Sequence, residues 1–105
     1  MLFPVATKQD LLDVLGQHTA ELRALGVERC GLFGSFVRDE PSGTSDVDLL
    51  VEFRPGQKTF DHFMELGFLL EGLVGRKVEL VTPESLSPHL APHILHEVEY
   101  VSLAS

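Results

Sequence analysis

Leu11, Val14, Leu15, His18, Leu22 and Leu25 recur at three- and four-residue steps between Thr7 and Gly26. That spacing lines one face of a helix. Thr7 offers an N-cap oxygen, and Gly26 tolerates the backbone that ends a helix. Val27 to Phe33 reads as a strand, followed at once by Gly34-Ser35 and a short helical segment through Asp39. Glu40 to Ser45 is turn chemistry throughout. Asp46 to Phe53 predicts a second strand with Val47, Leu49 and Val51 on one face, and Arg54 to Lys58 a loop. Thr59 caps a second long helix whose inner face is marked by Phe60, Phe63, Met64, Gly67, Leu70, Leu73 and Val74, with Gly75 as its stop. Lys77 to Thr82 predicts a third strand, Val78 and Leu80 alternating against Lys77, Glu79 and Val81. Pro83 ends it. Pro88 and Pro92 suit the first turns of short helices. Val98 to Val101 fits either a helical turn or an edge strand.

The order helix, strand, short helix, strand, helix, strand, helix predicts an α/β (α+β) domain, a small mixed sheet with flanking helices. No repeat or linker divides the chain, so residues 1–105 are expected to form a single domain. Composition narrows the function classes. Eight Lys and Arg against sixteen Asp and Glu leave a net charge of −8, which repels a polyanionic backbone and argues against general nucleic-acid binding. A cation or a basic protein suits that surface better. The one cysteine, Cys30, permits no internal disulfide and sits in an apolar run where a packing role is expected. Met1 to Val5 is too short for an export signal and no run of about 18 apolar residues occurs. The expectation is a cytoplasmic protein with no membrane partner.

Chemistry concentrates in Gly34-Ser35, ten residues, then Asp46-Val47-Asp48. Residues two apart on a strand point to one side, so Asp46 and Asp48 present their carboxylates together. Like charges that close oppose each other's ionisation unless a cation offsets them. Mg²⁺, bound through carboxylates and substrate phosphates, is the natural partner. Gly34-Ser35 ends a strand and opens a helical segment; backbone N–H groups at a helix start attract phosphate, glycine permits close approach, and serine adds a hydroxyl. Arg38, one turn later, has two open roles: a phosphate contact, or a pair with Asp39 or Glu40. Each motif alone is weak, but the two in succession, each beside an apolar strand, point to a phosphate-and-metal site.

Gly34-Ser35-Phe36-Val37-Arg38-Asp39 followed by Ser45-Asp46-Val47-Asp48-Leu49-Leu50-Val51 resembles the signature of the minimal nucleotidyltransferases, of the DNA polymerase β-like superfamily. The similarity spans nearly the whole chain. It implies that fold, a triphosphate bound by the Gly-Ser pair, and Mg²⁺ held by the two strand aspartates. A third carboxylate on a later strand completes the family's set. The matching position is Glu79, where the family usually has aspartate. The implied catalytic and metal residues are thus Asp46, Asp48 and Glu79, and the implied nucleotide-binding residues Gly34, Ser35, Arg38 and Ser45. The implied reaction moves a nucleoside monophosphate, AMP from ATP, to a hydroxyl. Single-domain members are typically encoded beside a HEPN-domain protein, and some act as its antitoxin by adding AMP to a tyrosine. An acidic surface suits such a basic partner.

Glu79 keeps open a rival of another class, a non-catalytic module that neutralises a HEPN partner by binding alone. A small-molecule enzyme like the aminoglycoside nucleotidyltransferases is disfavoured by the lack of room for a second domain. His89, His93 and His96, with His62, suggest zinc, but Pro92 interrupts their face and no thiolate or carboxylate completes the pattern. Phe60, Phe63 and Phe68 are expected in the core rather than as a base-stacking platform. His18 is expected to be partly buried, and Tyr100 to pack near the C-terminus.

Overall fold

Thr7 starts the first helix with a reciprocal cap. Its hydroxyl accepts from the Asp10 amide at 3.0 Å, and the Asp10 carboxylate accepts from the Thr7 amide at 3.2 Å. The computed structural model describes residues 4–38 and 45–103. Its elements are helices α1 (Lys8–Gln17) and α2 (Thr19–Ala24), strands β1 (Val27–Phe33) and β2 (Val47–Phe53), helix α3 (Phe60–Val74), strand β3 (Val78–Val81), helix α4 (Ala91–Glu97) and strand β4 (Glu99–Val101). None of the described helices is long and apolar enough to cross a membrane.

The first helix is not continuous, as the periodicity had suggested. It breaks at His18, whose backbone (φ −124°, ψ 26°) leaves the helical region. Gly16, two residues earlier, is a weak helix former by about 1 kcal/mol relative to alanine. The half-buried His18 ring lies 2.8 Å from Glu21 Oε1. The apolar stripe survives the break: Leu11, Leu15 and Leu22 are all fully buried.

The sheet runs β3-β2-β1-β4 and is mixed, as expected: β2 and β3 are parallel, and β1 is antiparallel to both β2 and β4. The Val98–Val101 ambiguity resolves to a strand at the β4 edge, with Gly31 opposite Tyr100. Val47, Leu49 and Val51 share one core with Cys30, Leu32, Leu66, Leu70 and Val74. Burial pushes the Cys30 thiol up to about 12, so it stays protonated and packs as a small apolar group.

Helix α3 is capped as its sequence dictates. The Thr59 hydroxyl accepts from the His62 amide, and Gly75 closes the helix in the left-handed region at φ 70°. The face it buries agrees with the expected one at Leu70 and Val74 and differs toward the N-terminal end. Leu66, Leu70 and Val74 point inward, while Phe60 is 75% and Phe68 68% exposed and Met64 also faces outward. Apolar residues occur all round this helix, so spacing alone did not select the stripe; the leucines at four-residue steps win. Fully burying each stabilises the fold by about 1.5–3 kcal/mol. Phe60, Met64 and Phe68 are left as a second, exposed apolar strip, not core.

Past β3, Pro83 opens a short 3₁₀ turn through Ser85. Pro92 lies in the first turn of α4 as expected, whereas Pro88 falls in the turn before it.

Candidate active site

β1 delivers the chain to Gly34, which sits at φ +80°, a left-handed conformation that glycine adopts freely and other residues rarely. Residues 34–38 form a hydrogen-bonded turn rather than the expected short helix, closed by one long bond from the Arg38 amide to the Gly34 carbonyl at 3.4 Å. Asp39 lies outside the described residues. Phe36, 1% exposed, plugs the turn into the core while leaving Ser35 half-buried.

The carboxylates come from β2 and β3. Since Val47 and Leu49 point into the core, Asp48 points to the opposite face of the sheet. Asp46 shares that side, just before β2 begins. β3 brings Glu79 directly beside Asp48 in the parallel register. Neighbouring strands lie about 4.8 Å apart, so paired side chains on one face are neighbours. The electrostatics agree: the Asp48 carboxyl is raised above its ordinary range, first by burial, then by Glu79 and Asp46, with Arg38 opposing and Glu97 adding.

The turn rests on this group. A Cβ on Gly34 would overlap the Asp48 carboxylate oxygen, so only glycine lets the backbone lie against it. Gly34→Ala is therefore expected to combine left-handed strain with a collision and to lower the melting temperature by several degrees. It is also expected to weaken triphosphate binding by at least about tenfold. Thermal unfolding and calorimetry check this; unchanged stability and binding would show that the close approach is unimportant.

Two residues of the site escaped sequence reasoning. Arg76 Nη1 donates to the Ser45 carbonyl at 3.0 Å and Nε to the Val5 carbonyl at 2.6 Å, and its guanidinium lies 5.2 Å from the centre of the Phe36 ring. It thereby ties the backbone entering Asp46 to the turn. Glu97 accepts from the Gly34 amide at 2.6 Å, and Arg38 Nη1 donates to both its oxygens at 3.2 and 3.3 Å. Arg38 is thus paired with a distant residue, Glu97, while Asp39 and Glu40 lie outside the described residues. One signal pointed to Glu97: an acid in the last turn of a helix opposes the macrodipole and needs an external partner.

Asp46, Asp48 and Glu79 share a face without closing into a complete metal shell. Among the described residues no group of three or more His, Cys, Asp or Glu side chains is gathered tightly enough for that. The donor chemistry fits Mg²⁺ all the same. The oxygens are hard and mutually repelling and lie beside a phosphate-type turn, and Mg²⁺ takes one or two protein carboxylates plus substrate phosphates. His89, His93 and His96 are exposed, and His62 Nδ1 lies 2.7 Å from the Gln57 carbonyl, bracing a loop. Tyr100 packs over Gly31 under the Arg29 guanidinium, 4.0 Å away. The large cavity of about 760 Å³ lined by Arg23, Arg29 and Arg54 lies at the other end of β1. Its arginines hold Leu103, Glu52 and Arg23 backbone or side-chain oxygens.

Known proteins share this fold. The family model for the nucleotidyltransferase domain matches residues 15–101. Protein adenylyltransferase MntA of Thermococcus cleftensis is 42% identical over 96 residues, which cover 90% of this chain and 96% of that protein. A solved structure described as a minimal nucleotidyltransferase is similar at TM-score 0.69 and 34% identity, covering 84% of this chain and 93% of its own. A toxin-antitoxin crystal structure with AMP-PNP shares the fold at TM-score 0.64 and 20% identity, covering 93% of this chain and 73% of its own. A small mixed sheet with flanking helices is the polymerase β-like architecture. The chain belongs to the minimal nucleotidyltransferase family and is a nucleotidyltransferase.

Proposed function

We propose that this enzyme transfers AMP from ATP, with Mg²⁺, to a tyrosine hydroxyl of a HEPN-domain partner and so acts as its antitoxin. The observation that carries the reading is the register pair Asp48 and Glu79, with Asp46 on the same side, beneath the Gly34 turn. Asp46 and Asp48 would hold the ion, with Glu79 beside them on the neighbouring strand. When bound, it neutralises charge on the phosphates and the carboxylates that face them. The Gly34 amide is already committed to Glu97. The triphosphate contact therefore falls to the Ser35 amide and hydroxyl, with Arg38 and Ser45 at either side.

In the transfer, the acceptor oxygen forms a bond to the α-phosphorus while the bond from that phosphorus to the β-phosphate bridging oxygen breaks. Pyrophosphate leaves, and the acceptor proton passes to a carboxylate, for which Glu79 is placed at the exposed edge strand. The 42% identical relative is named a protein adenylyltransferase, which supports AMP and a protein acceptor. Surface chemistry supports a polypeptide too. The net charge of −8 favours a basic partner. A groove of about 250 Å³ between α3 and β3 sets Phe63, Met64 and Phe68 beside Glu79, giving a partner apolar surface to cover next to the proposed base.

Co-purification with the product of the neighbouring gene, then incubation with ATP and Mg²⁺ and intact-mass measurement of both chains, tests this. The expected result is a gain of one AMP on the partner. Stoichiometric inhibition with no mass gain would instead establish the binding-module reading, which the glutamate at position 79 favours.

A further inference from the structure

We propose that Glu97 is a positioning residue for nucleotide transfer, a carboxylate clamp that fastens both ends of the Gly34–Arg38 turn and fixes its phosphate-binding face, resting on the reading of that turn as the triphosphate site. One side chain reaches both ends: Oε1 takes the Gly34 amide at 2.6 Å, and both oxygens take Arg38 Nη1 at 3.2–3.3 Å. The turn's own backbone bond is long, at 3.4 Å, whereas charge-assisted bonds are roughly twice as strong as neutral ones. The clamp thus outweighs that bond.

Its anchorage distinguishes a clamp from a plug that occupies the place of phosphate and swings away. Glu97 ends α4, and the next residue is held: the Val98 amide donates to the Ile94 carbonyl at 2.9 Å. Val98 lies flat on Gly31, where even a Cβ would come within 2.5 Å of its methyl. Glu99 then enters β4 opposite Leu32 and pairs with Lys8 at 2.7 Å. The carboxylate is therefore delivered from backbone fixed on both sides, with Gly31 as the gap that seats it. Holding the Gly34 amide to Glu97 orients the next peptide of the turn. Neutralising Glu97 with Arg38 limits its repulsion of Asp48, which senses both charges.

The test uses the full chain as native protein, Glu97→Ala and Glu97→Gln. Amide exchange is followed by NMR, and MgATP affinity and the KM-against-kcat split for transfer are measured. In Glu97→Ala, exchange at Gly34 should accelerate roughly 10–100-fold, the range set by losing a hydrogen bond to a charged group. Leu32 in β1 should keep its protection. MgATP affinity should fall by about tenfold, appearing in KM before kcat. Glu97→Gln retains an acceptor for the Gly34 amide and should recover most of both effects. Unchanged Gly34 exchange, or equal affinity in native and Glu97→Ala, would overturn the clamp while leaving the nucleotide site standing. Tighter binding in Glu97→Ala would also overturn it, in favour of the plug. A native chain that binds no MgATP would overturn both this inference and the function on which it rests.

Discussion

Replacing Asp48 with asparagine is expected to abolish AMP transfer and, in the same protein, to raise the melting temperature of the nucleotide-free chain. Asp48 is half-buried, and its ionised form is opposed by burial and by Glu79, Asp46 and Glu97, with Arg38 favouring it. A carboxyl whose folded pKa is raised costs stability wherever it is ionised; the cost is relieved as pH falls through that raised value. Asparagine is nearly isosteric and uncharged, so at neutral pH the variant should melt a few degrees higher. Its advantage should shrink on acidification into the carboxylate range, where native Asp48 takes up its proton. Saturating MgATP should reverse the order, because a ligand that binds only the folded state stabilises it by mass action and the native site binds it better. Transfer should fall on the order of 10³-fold, the scale for removing a preorganised group that meets transition-state charge. Melting curves at neutral and acid pH, with and without MgATP, and transfer rates decide this. An asparagine variant that keeps native MgATP affinity and transfer would remove Asp48 from the site.

The sequence revealed the parts of this molecule that depend on local chemistry. Thr7, Thr59 and Gly75 act as caps because their signals are read within one helical turn. Glu79 was named from the family resemblance, strand alternation only permitting it, and the β2–β3 register sets it opposite Asp48. What stayed hidden depends on choices among alternatives of equal local merit. α3 carries apolar residues on all sides, so only tertiary packing could choose Leu66 over Phe60 and Met64. Met64, left outside the core, lines the groove that Glu79 borders.

Glu97 and Arg76 were hidden for a different reason. Glu97 meets Gly34 across 63 positions of sequence, and Arg76 meets Ser45 across 31 and Val5 across 71. No spacing rule connects them. Both are polar side chains reaching backbone groups, which a turn exposes only once the sheet has assembled. The paired aspartates and the glycine turn were therefore readable as a motif, while the groups that hold the motif in shape were not. The short helix expected after Ser35 failed for the same cause: Phe36 is drawn into the core and Arg38 toward Glu97, and both pulls are tertiary.

Glu79→Gln is expected to lower AMP transfer by about 10²–10⁴-fold while leaving MgATP affinity within roughly threefold of native. The split follows from position. Asp48 lies inside β2, half-buried between β1 and β3, whereas Glu79 is exposed on the edge strand and borders the groove between β3 and α3. A group there meets the acceptor rather than the deeper phosphates, so its charge matters when the acceptor hydroxyl loses its proton. Glutamine keeps the shape and removes the basicity. Glu79→Asp restores the carboxylate on a shorter stem, the length usual in the family, and should retain or raise activity. A parallel loss of MgATP affinity in Glu79→Gln would recast Glu79 as a ligand of the ion instead of the acceptor's base. A rate unchanged by the substitution would take it out of the reaction altogether. On the proposed function Glu79 decides more than its own role, because a partner's hydroxyl would arrive at this edge strand. If transfer is lost while the glutamine variant still binds and restrains its partner, docking and chemistry are separable, and the native chain restrains its partner by both.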